Sequence, residues 1–301
     1  MRSPLGLKIL DLLRYAMTVG VYLEAFVPVR GEGSGLSIFV RVANSHLLVP
    51  PSRGRIDPVV VLHGGPGLPH NYLLPIADMI TDRPVVFYDQ LGCGRSSAPA
   101  DPTSSVYSVR KSVEDLHQVL CHFNFPSVVL LGHSWGGTLA YEYATSDIAK
   151  TSNVTALVLS NTSTSSSLTQ REIHQKIGEL IMDGVVNEDL DAQFRSRHQC
   201  RVESSLLSDT LKGMSHIPSW SGLHSILSWE IDAASSLGET KVLVIQGEFD
   251  FSTPRCMDRW ASVARQVEFV TIPRSSHMPH IENPSQFRFV ILNFLSSLTA
   301  N

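Results

Sequence analysis

Three residues that lie far apart in the sequence have the types and local settings of a serine nucleophile and its two helpers. Ser134 lies in the pentapeptide Gly-His-Ser-Trp-Gly, Asp250 follows the turn Gln-Gly-Glu-Phe, and His277 follows Pro-Arg-Ser-Ser. A serine hydroxyl is a poor nucleophile at neutral pH. It needs a base within hydrogen-bond reach and a third group that orients the base. The three residues supply these groups in the order serine, acid, histidine.

The sequence on either side of Ser134 makes the short motif Gly-x-Ser-x-Gly significant. Gly-x-Ser-x-Gly occurs by chance in roughly one chain in ten of this length. Here the apolar run Val128 to Leu131 precedes it, and residues with helical periodicity, from Leu139 to Ala144, follow it. A serine on a strand-to-helix turn is held in a strained conformation with its hydroxyl exposed. This nucleophile elbow predicts that Ser134 is the attacking residue.

Asp250 and His277 both follow strand-like runs. Asp250 comes after Lys241 to Ile245, and His277 comes after Val267 to Ile272. The carboxyl ends of parallel strands meet at one edge of a sheet, where open α/β sheets gather their ligands. We therefore expect Asp250, His277 and Ser134 to converge there as a catalytic triad.

Alternatives to these assignments stay open in the sequence. A Gly-x-x-Asp after a strand is often only a turn or a helix cap, and His280 competes with His277 for the role of base. His133 is interpreted as a packing or pocket-edge residue, because its position on the elbow points it away from the hydroxyl. Four aromatic residues could line an apolar pocket or form ordinary core: Phe194, Trp220, Trp229 and Phe251.

A glycine-rich turn, His63 to Gly67 (His-Gly-Gly-Pro-Gly), follows the run Val59 to Leu62. Attack on a carbonyl leaves charge on its oxygen, and each backbone N–H aimed at that oxygen is worth a factor of about 100 to 1000. Trp135, directly after the nucleophile, is the first predicted donor. Gly65 is the second, since Pro66 has no N–H.

The spacing of apolar runs predicts an α/β fold with eight strands. The central runs are unbroken Val/Ile/Leu stretches, which is typical of a mostly parallel sheet with helices on both faces. The runs are Tyr22 to Val29, Leu36 to Val42, Val59 to Leu62, Val85 to Tyr88, Val128 to Leu131, Ala156 to Leu159, Lys241 to Ile245 and Val267 to Ile272.

The alternation of strand and helix stops between Ser163 and Gly238, where helical patterns continue without a strand. An insertion at this place would cap the site. We therefore expect a core from residues 1–162 and 239–301, a helical cap from residues 163–238, and an N-terminal helix at about residues 5–20.

Composition limits the classes of function. The 301 residues carry a formal net charge of −4 without a run of lysine or arginine, which argues against a nucleic-acid partner. Charged residues interrupt the apolar N-terminus before it reaches the roughly 18 residues of a membrane span. Weak membrane association of an amphipathic helix is the alternative. The four cysteines lack Cys-x-x-Cys spacing, so we expect reduced thiols in a cytoplasmic protein without a metal or cofactor.

Five motifs together resemble the proline iminopeptidase family of α/β-hydrolases, which comprises prolyl aminopeptidases and amino-acid amidase-like enzymes. The resemblance covers nearly all of the chain from about Val27 onward. It implies Ser134, Asp250 and His277 as the triad, with Gly65 and Trp135 as oxyanion donors, and it makes Gly65-Pro66 a candidate cis peptide bond. The motifs are His63 to Gly67, Asp89 to Ser96, Gly132 to Gly137, Gly247 to Asp250 and Ser276 to His280.

The sequence departs from this family where a free amine would bind. Aminopeptidases of the family hold the substrate ammonium with a Glu directly after the triad Asp and another Glu in the cap. Here Phe251 occupies the first place, and the cap stretch Met214 to Trp220 contains no acid. Removing an ammonium from water without a partner costs several kcal/mol. Glu230 could substitute if the cap folds inward.

The sequence thus predicts a serine hydrolase that cleaves an amide or ester bond of a small molecule or short peptide through an acyl-enzyme. The alternative is an α/β-hydrolase of specialised metabolism that acts as an esterase, lactonase or acyl transferase, or uses its pocket for non-hydrolytic chemistry or binding. The predicted substrate-binding residues are Gly64, His133, Trp220, Glu230 and Phe251. The sequence leaves the oligomeric state open.

Overall fold

An eight-stranded sheet forms the centre of the protein. The structure, a computed structural model, describes residues 22–31, 33–48, 56–99, 107–151, 153–214 and 226–299. The helix predicted for residues 5–20 lies outside the described residues. The strands are β1 (Leu23–Pro28), β2 (Ser37–Ala43), β3 (Val59–Leu62), β4 (Val85–Tyr88), β5 (Ser127–His133), β6 (Asn153–Ser160), β7 (Lys241–Gly247) and β8 (Gln266–Ile272).

The sheet has the order β1-β2-β4-β3-β5-β6-β7-β8. β1 pairs with β2, and β2 with β4, in antiparallel fashion, while every later pair is parallel. β3 and β4 are buried along their whole length, which explains their unbroken apolar sequences. The prediction of a mostly parallel eight-stranded sheet is confirmed.

Helices cover both faces of this sheet. Alternate residues of β3 show the division: Val60 and Leu62 pack into one apolar core, whereas Val59 and Val61 pack into the other. The helices of the described residues are α1 (Pro75–Met79), α2 (Val109–Phe123), α3 (Trp135–Thr145), α4 (Ser166–Met182), α5 (Leu190–Phe194), α6 (Ser205–Met214), α7 (Pro254–Met257), α8 (Trp260–Val263), α9 (Pro279–Glu282) and α10 (Pro284–Leu298).

Between β6 and β7, the described residues contain helices α4 to α6 and a π-helical turn, Arg195–Gln199. An antiparallel bridge between Ser165 and Glu230 joins the two ends of this insertion. Its backbone bonds run from Ser166 N to Trp229 O (2.9 Å) and from Ile231 N to Thr164 O (2.9 Å). The chain therefore leaves and re-enters the core at one point, and α6 packs against the turn His70–Leu73.

None of the helices in the described part of the chain is long and apolar enough to cross a membrane.

Candidate active site

Ser134 lies at the tip of a sharp turn between β5 and α3. Its backbone has φ 54° and ψ −122°, in the region that non-glycine residues rarely occupy. The Ser134 amide donates to Ser160 O (2.8 Å), and the Thr162 hydroxyl donates to Ser134 O (3.2 Å). Bonds from β6 and the residues after it thus hold the strained turn.

The two glycines of the elbow allow this turn to close. A Cβ atom on Gly132 would lie 2.3 Å from the carbonyl oxygen of Gly136. A Cβ on Gly136 would lie 2.1 Å from the carbonyl oxygen of Leu62, at the end of β3. Neither position accepts a side chain without backbone movement. The Gly-x-Ser-x-Gly pattern is therefore a packing requirement between β5, α3 and β3.

A buried hydrogen bond joins the other two predicted triad residues. His277 Nδ1 donates to Asp250 Oδ1 over 2.9 Å, and the two residues are 5% and 2% exposed. Asp250 follows β7, and His277 lies between β8 and α9, so both come from the carboxyl edge of the sheet as expected. The bond fixes the His277 tautomer with Nε2 able to accept a proton.

Asn161 completes the surroundings of Asp250, and the sequence reasoning missed it. Its Nδ2 donates to Asp250 Oδ2 (2.7 Å) and to Ser276 O (3.1 Å), while the Ser252 amide donates to Asp250 Oδ1 (3.0 Å). Asn161 has φ 55° directly after β6. Asparagine tolerates this conformation, and an Asn at a strand's carboxyl end was the available signal.

His133 lies behind the elbow in a buried chain of hydrogen bonds. Its Nε2 donates to the backbone oxygen of His277 (2.7 Å), and its Nδ1 accepts from the Tyr72 hydroxyl (2.8 Å). The same hydroxyl accepts from the Gly64 amide (2.8 Å). Burial, together with neighbouring His277 and His280, holds the pKa of His133 well below its ordinary value. A neutral His133 thus links the nucleophile's strand, the glycine-rich loop and the backbone of His277.

His280, the competitor for the role of base, has other contacts. It is 1% exposed, and its Nε2 donates to Tyr72 O (3.1 Å). Burial lowers the pKa of His280 to about 4. Its ring packs against His133, 5.5 Å between centroids, so His280 lies one layer behind the residues that face the cavity.

The two predicted oxyanion donors flank Ser134. Trp135 is the first residue of α3, at the end of the helix where the helix dipole favours negative charge. Gly65 lines the same cavities as Ser134, and the Gly65-Pro66 peptide bond is cis. Gln90 braces both segments: its side chain accepts from Trp135 Nε1 (2.8 Å) and donates to His63 O (2.9 Å).

Two cavities have Ser134 in their linings. The larger cavity, of about 1090 Å³, is lined by Ser134, His277, Tyr72 and His133 from the core and by residues of α5, the π-helical turn and α6. The smaller, of about 240 Å³, is lined by Ser134, Trp135, Thr138, Asn161 and Trp229 among others. Gly65, Ser134 and Phe251 belong to both linings. The nucleophile thus lies at the junction of two subsites.

The predicted substrate-binding residues differ in where the structure places them. Phe251 and His133 line the larger cavity, and the Phe251 ring lies 4.2 Å from the His277 ring between centroids. Gly64 is buried, with its amide bound to Tyr72. Trp220 lies outside the described residues.

Glu230 is directed elsewhere. Its Oε1 accepts from the hydroxyls of Ser165 (2.6 Å) and Ser167 (2.7 Å), and its Oε2 lies 3.3 Å from Arg259 Nη1. These partners hold the pKa of Glu230 below its ordinary value, against the effect of partial burial. It is not among the described residues that line either cavity.

Comparison with known proteins agrees with this architecture. The profile of the alpha/beta hydrolase fold matches residues 57–196, so fold and sequence define an α/β-hydrolase. A proline iminopeptidase from Heyndrickxia coagulans is 29% identical to this chain. The similarity covers 92% of this chain and all of that protein.

Two crystal structures are similar over nearly their whole length. The proline iminopeptidase of Mycobacterium smegmatis superposes with a TM-score of 0.78 at 26% identity, covering 92% of this chain and 98% of that one. VinJ gives a TM-score of 0.78 at 25% identity, covering 91% and 98%. The chain is thus an α/β-hydrolase that is similar over nearly its whole length to proline iminopeptidases, and it is a hydrolase.

Proposed function

We propose that this protein is a serine hydrolase that cleaves an amide or ester bond of a small molecule or short peptide through an acyl-enzyme. The observation that carries the proposal is the buried 2.9 Å bond from His277 to Asp250 in the wall of the cavity that also contains Ser134. This bond orients the imidazole as the base that a serine nucleophile requires.

The reaction proceeds in two acyl transfers. His277 takes the proton of Ser134 as Oγ attacks the carbonyl carbon, and the Gly65 and Trp135 amides stabilise the oxyanion. The C–N or C–O bond then breaks, and His277 gives its proton to the leaving atom. Water attacks the acyl-enzyme by the same route, which releases the acid and restores Ser134.

The surroundings of Ser134 support a substrate without a free amine. Phe251 stands where aminopeptidases of this kind have a glutamate, and no Asp or Glu other than Asp250 lies within one residue of Ser134, His277 or Phe251 in sequence. No aspartate or glutamate is among the described residues that line either cavity. Glu230, the sequence candidate for an amine-binding acid, is engaged by Ser165, Ser167 and Arg259. An ammonium would therefore lose hydration without gaining a charged partner.

A substrate panel with an active-site probe tests this proposal. A fluorophosphonate should label the wild type and leave Ser134→Ala unlabelled, and Ser134→Ala should lose turnover of aminoacyl anilides, aminoacyl amides, acyl esters and lactones. Unchanged labelling of Ser134→Ala would refute the nucleophile assignment. Ser163→Ala is the matched control, because Ser163 lines the smaller cavity but bonds to Ser165 and Cys256.

The preference for an amine is tested separately. We expect little discrimination between prolyl anilides and their N-acylated counterparts, and no change of that ratio in Glu230→Gln. A strong preference for the free amine that disappears in Glu230→Gln would show that Glu230 binds the ammonium.

The second function, esterase or lactonase chemistry in specialised metabolism, is favoured by the same acid-poor lining. The ester and lactone members of the panel distinguish it from amide hydrolysis.

A further inference from the structure

The two subsites at Ser134 are not equivalent, because only one of their described linings includes the base. His277 lines the larger cavity and is not among the described residues of the smaller one. The leaving atom must come within hydrogen-bond reach of His277 to receive its proton. This requirement rests on the proposed function. Because His277 lines the larger cavity, the leaving part of the substrate lies in that cavity and the acyl part lies in the smaller one.

The smaller cavity suits a compact, neutral acyl group. Its volume is about 240 Å³, and its described lining consists of apolar, hydroxyl and amide side chains without a charged residue. The larger cavity differs in charge. Its described lining includes two cations, Arg195 and Lys212, and no carboxylate.

Both cations line the larger cavity and are also exposed to solvent. The Arg195 side chain is 49% exposed and begins the π-helical turn, a feature often found at functional sites, while Lys212 is 73% exposed on α6. They lie on two different elements. An anionic group in the larger cavity therefore has a cation on each of these two elements of the lining.

Each cation already has a carboxylate partner one helical turn away. Arg195 Nε lies 2.8 Å from Asp191 Oδ2, and Lys212 Nζ lies 3.2 Å from Asp209 Oδ1. Both carboxylates are more than 70% exposed, and neither lines the cavity. Exposed pairs of this kind are weak, so a substrate anion can share or replace the partner at little cost.

We propose that the leaving part of the substrate carries a carboxylate, which Arg195 and Lys212 bind in the larger cavity. The chemical class is an acylated amino acid or hydroxy acid, that is, an amide or ester whose amine or alcohol product retains a free carboxylate. A short peptide with a free C-terminus belongs to this class.

Two matched pairs of substrates test the charge. In the amide pair the leaving group is 4-aminobenzoate or 4-aminobenzamide, and in the ester pair it is 4-hydroxybenzoate or 4-hydroxybenzamide, with the acyl group of the best panel substrate. Each pair differs by one negative charge at nearly constant size. The amide and ester pairs distinguish an amino-acid from a hydroxy-acid leaving group.

The measured quantity is the ratio of kcat/KM for the acid to kcat/KM for its amide. In Arg195→Gln/Lys212→Gln this ratio should fall about three- to tenfold, as expected for two exposed charge contacts. The ratio compares two substrates of one variant, so an effect that is common to both substrates cancels. In the wild type, 1 M NaCl should lower the ratio similarly, because the screening length is then about 3 Å.

The matched control is Arg110→Gln/Lys150→Gln. It removes an i,i+4 guanidinium pair and an i,i+3 ammonium pair of the same kind, Arg110 with Glu114 and Lys150 with Asp147, which do not line the cavity. An equal fall of the ratio in this control, or an unchanged ratio in the cavity variant, would overturn the carboxylate proposal. If the wild type shows neither turnover nor fluorophosphonate labelling, that result would instead refute the proposed hydrolase mechanism.

Discussion

Tyr72→Phe tests whether the buried hydrogen-bond chain behind Ser134 holds the site together. The Tyr72 hydroxyl accepts from the Gly64 amide and donates to His133 Nδ1, both over 2.8 Å, and Tyr72 and His133 are at most 1% exposed. Burial raises the pKa of Tyr72 well above its ordinary range, so the hydroxyl keeps its proton at every working pH. Phenylalanine preserves the ring and removes only this link.

The expected loss of stability follows from the two groups left behind. The Gly64 amide and His133 Nδ1 would each be buried without a partner, at about 1–3 kcal/mol per group. The removed hydroxyl no longer has to be desolvated, which offsets part of this loss. We therefore expect the free energy of unfolding to fall by about 2–3 kcal/mol. Activity should also fall, because Gly64 precedes the oxyanion loop and His133 precedes Ser134.

Tyr88→Phe is the matched control. Tyr88 is also a 1% exposed tyrosine of the core, but its hydroxyl has no partner among the described residues. Removing this hydroxyl should be neutral or stabilising by up to about 1 kcal/mol. Urea denaturation measures both variants, with a lower midpoint and an unchanged slope expected for Tyr72→Phe. If Tyr72→Phe costs no more than Tyr88→Phe, the chain of hydrogen bonds does not support the site.

Two further predictions concern Asp250 and the buried His280. Asp250→Asn should lower kcat on the order of 10⁴-fold, because an amide cannot at once accept from His277 and face the donating Asn161 side chain; a fall below tenfold would mean that the acid lies elsewhere. For His280, burial lowers the pKa to about 4, so the unfolded chain binds the proton first as the pH falls below about 6.5, and stability is lost between about pH 6.5 and 4. In His280→Gln the free energy of unfolding should depend less steeply on pH, by up to about 1.4 kcal/mol per pH unit. Urea denaturation at a series of pH values between about 6.5 and 4 measures this dependence. If the variant has the same pH dependence as the wild type, His280 is not a buried neutral histidine.

The strand framework could be read from the sequence because it depends on local pattern. The runs Val59 to Leu62 and Val85 to Tyr88 are apolar at every position, and the structure buries both along their whole length. The order of elements then places Ser134, Asp250 and His277 at one edge by topology alone. Strand limits were less accurate: β5 and β6 both extend beyond the predicted runs, into Ser127–His133 and Asn153–Ser160. Their ends carry polar residues that bond to neighbouring strands.

The supporting residues could not be read in this way. Tyr72 reaches His133 across 61 residues of sequence, and Asn161 reaches Asp250 across 89. No periodicity marks such contacts, since each depends on the side-chain direction at the end of one element relative to another. Glu230 shows that the charge of a residue does not by itself predict its partner. Its charge suggested an amine partner, but the bridge to Ser165 turns its carboxylate toward two serine hydroxyls and Arg259.

Burial separates the groups proposed to carry the reaction from those proposed to choose the substrate. Asp250, His133 and His277 are at most 5% exposed and are bonded to neighbouring loops, so a substitution there leaves a buried polar group unpaired. The side chains of Arg195 and Lys212 are 49% and 73% exposed, and each pairs with an exposed carboxylate. Changing either should alter stability by no more than about 0.5 kcal/mol. Substitutions of these two cations can therefore change the charge preference of the larger cavity while the strained Ser134 turn stays intact. Because of this difference in burial, the Arg195/Lys212 variant tests specificity rather than folding.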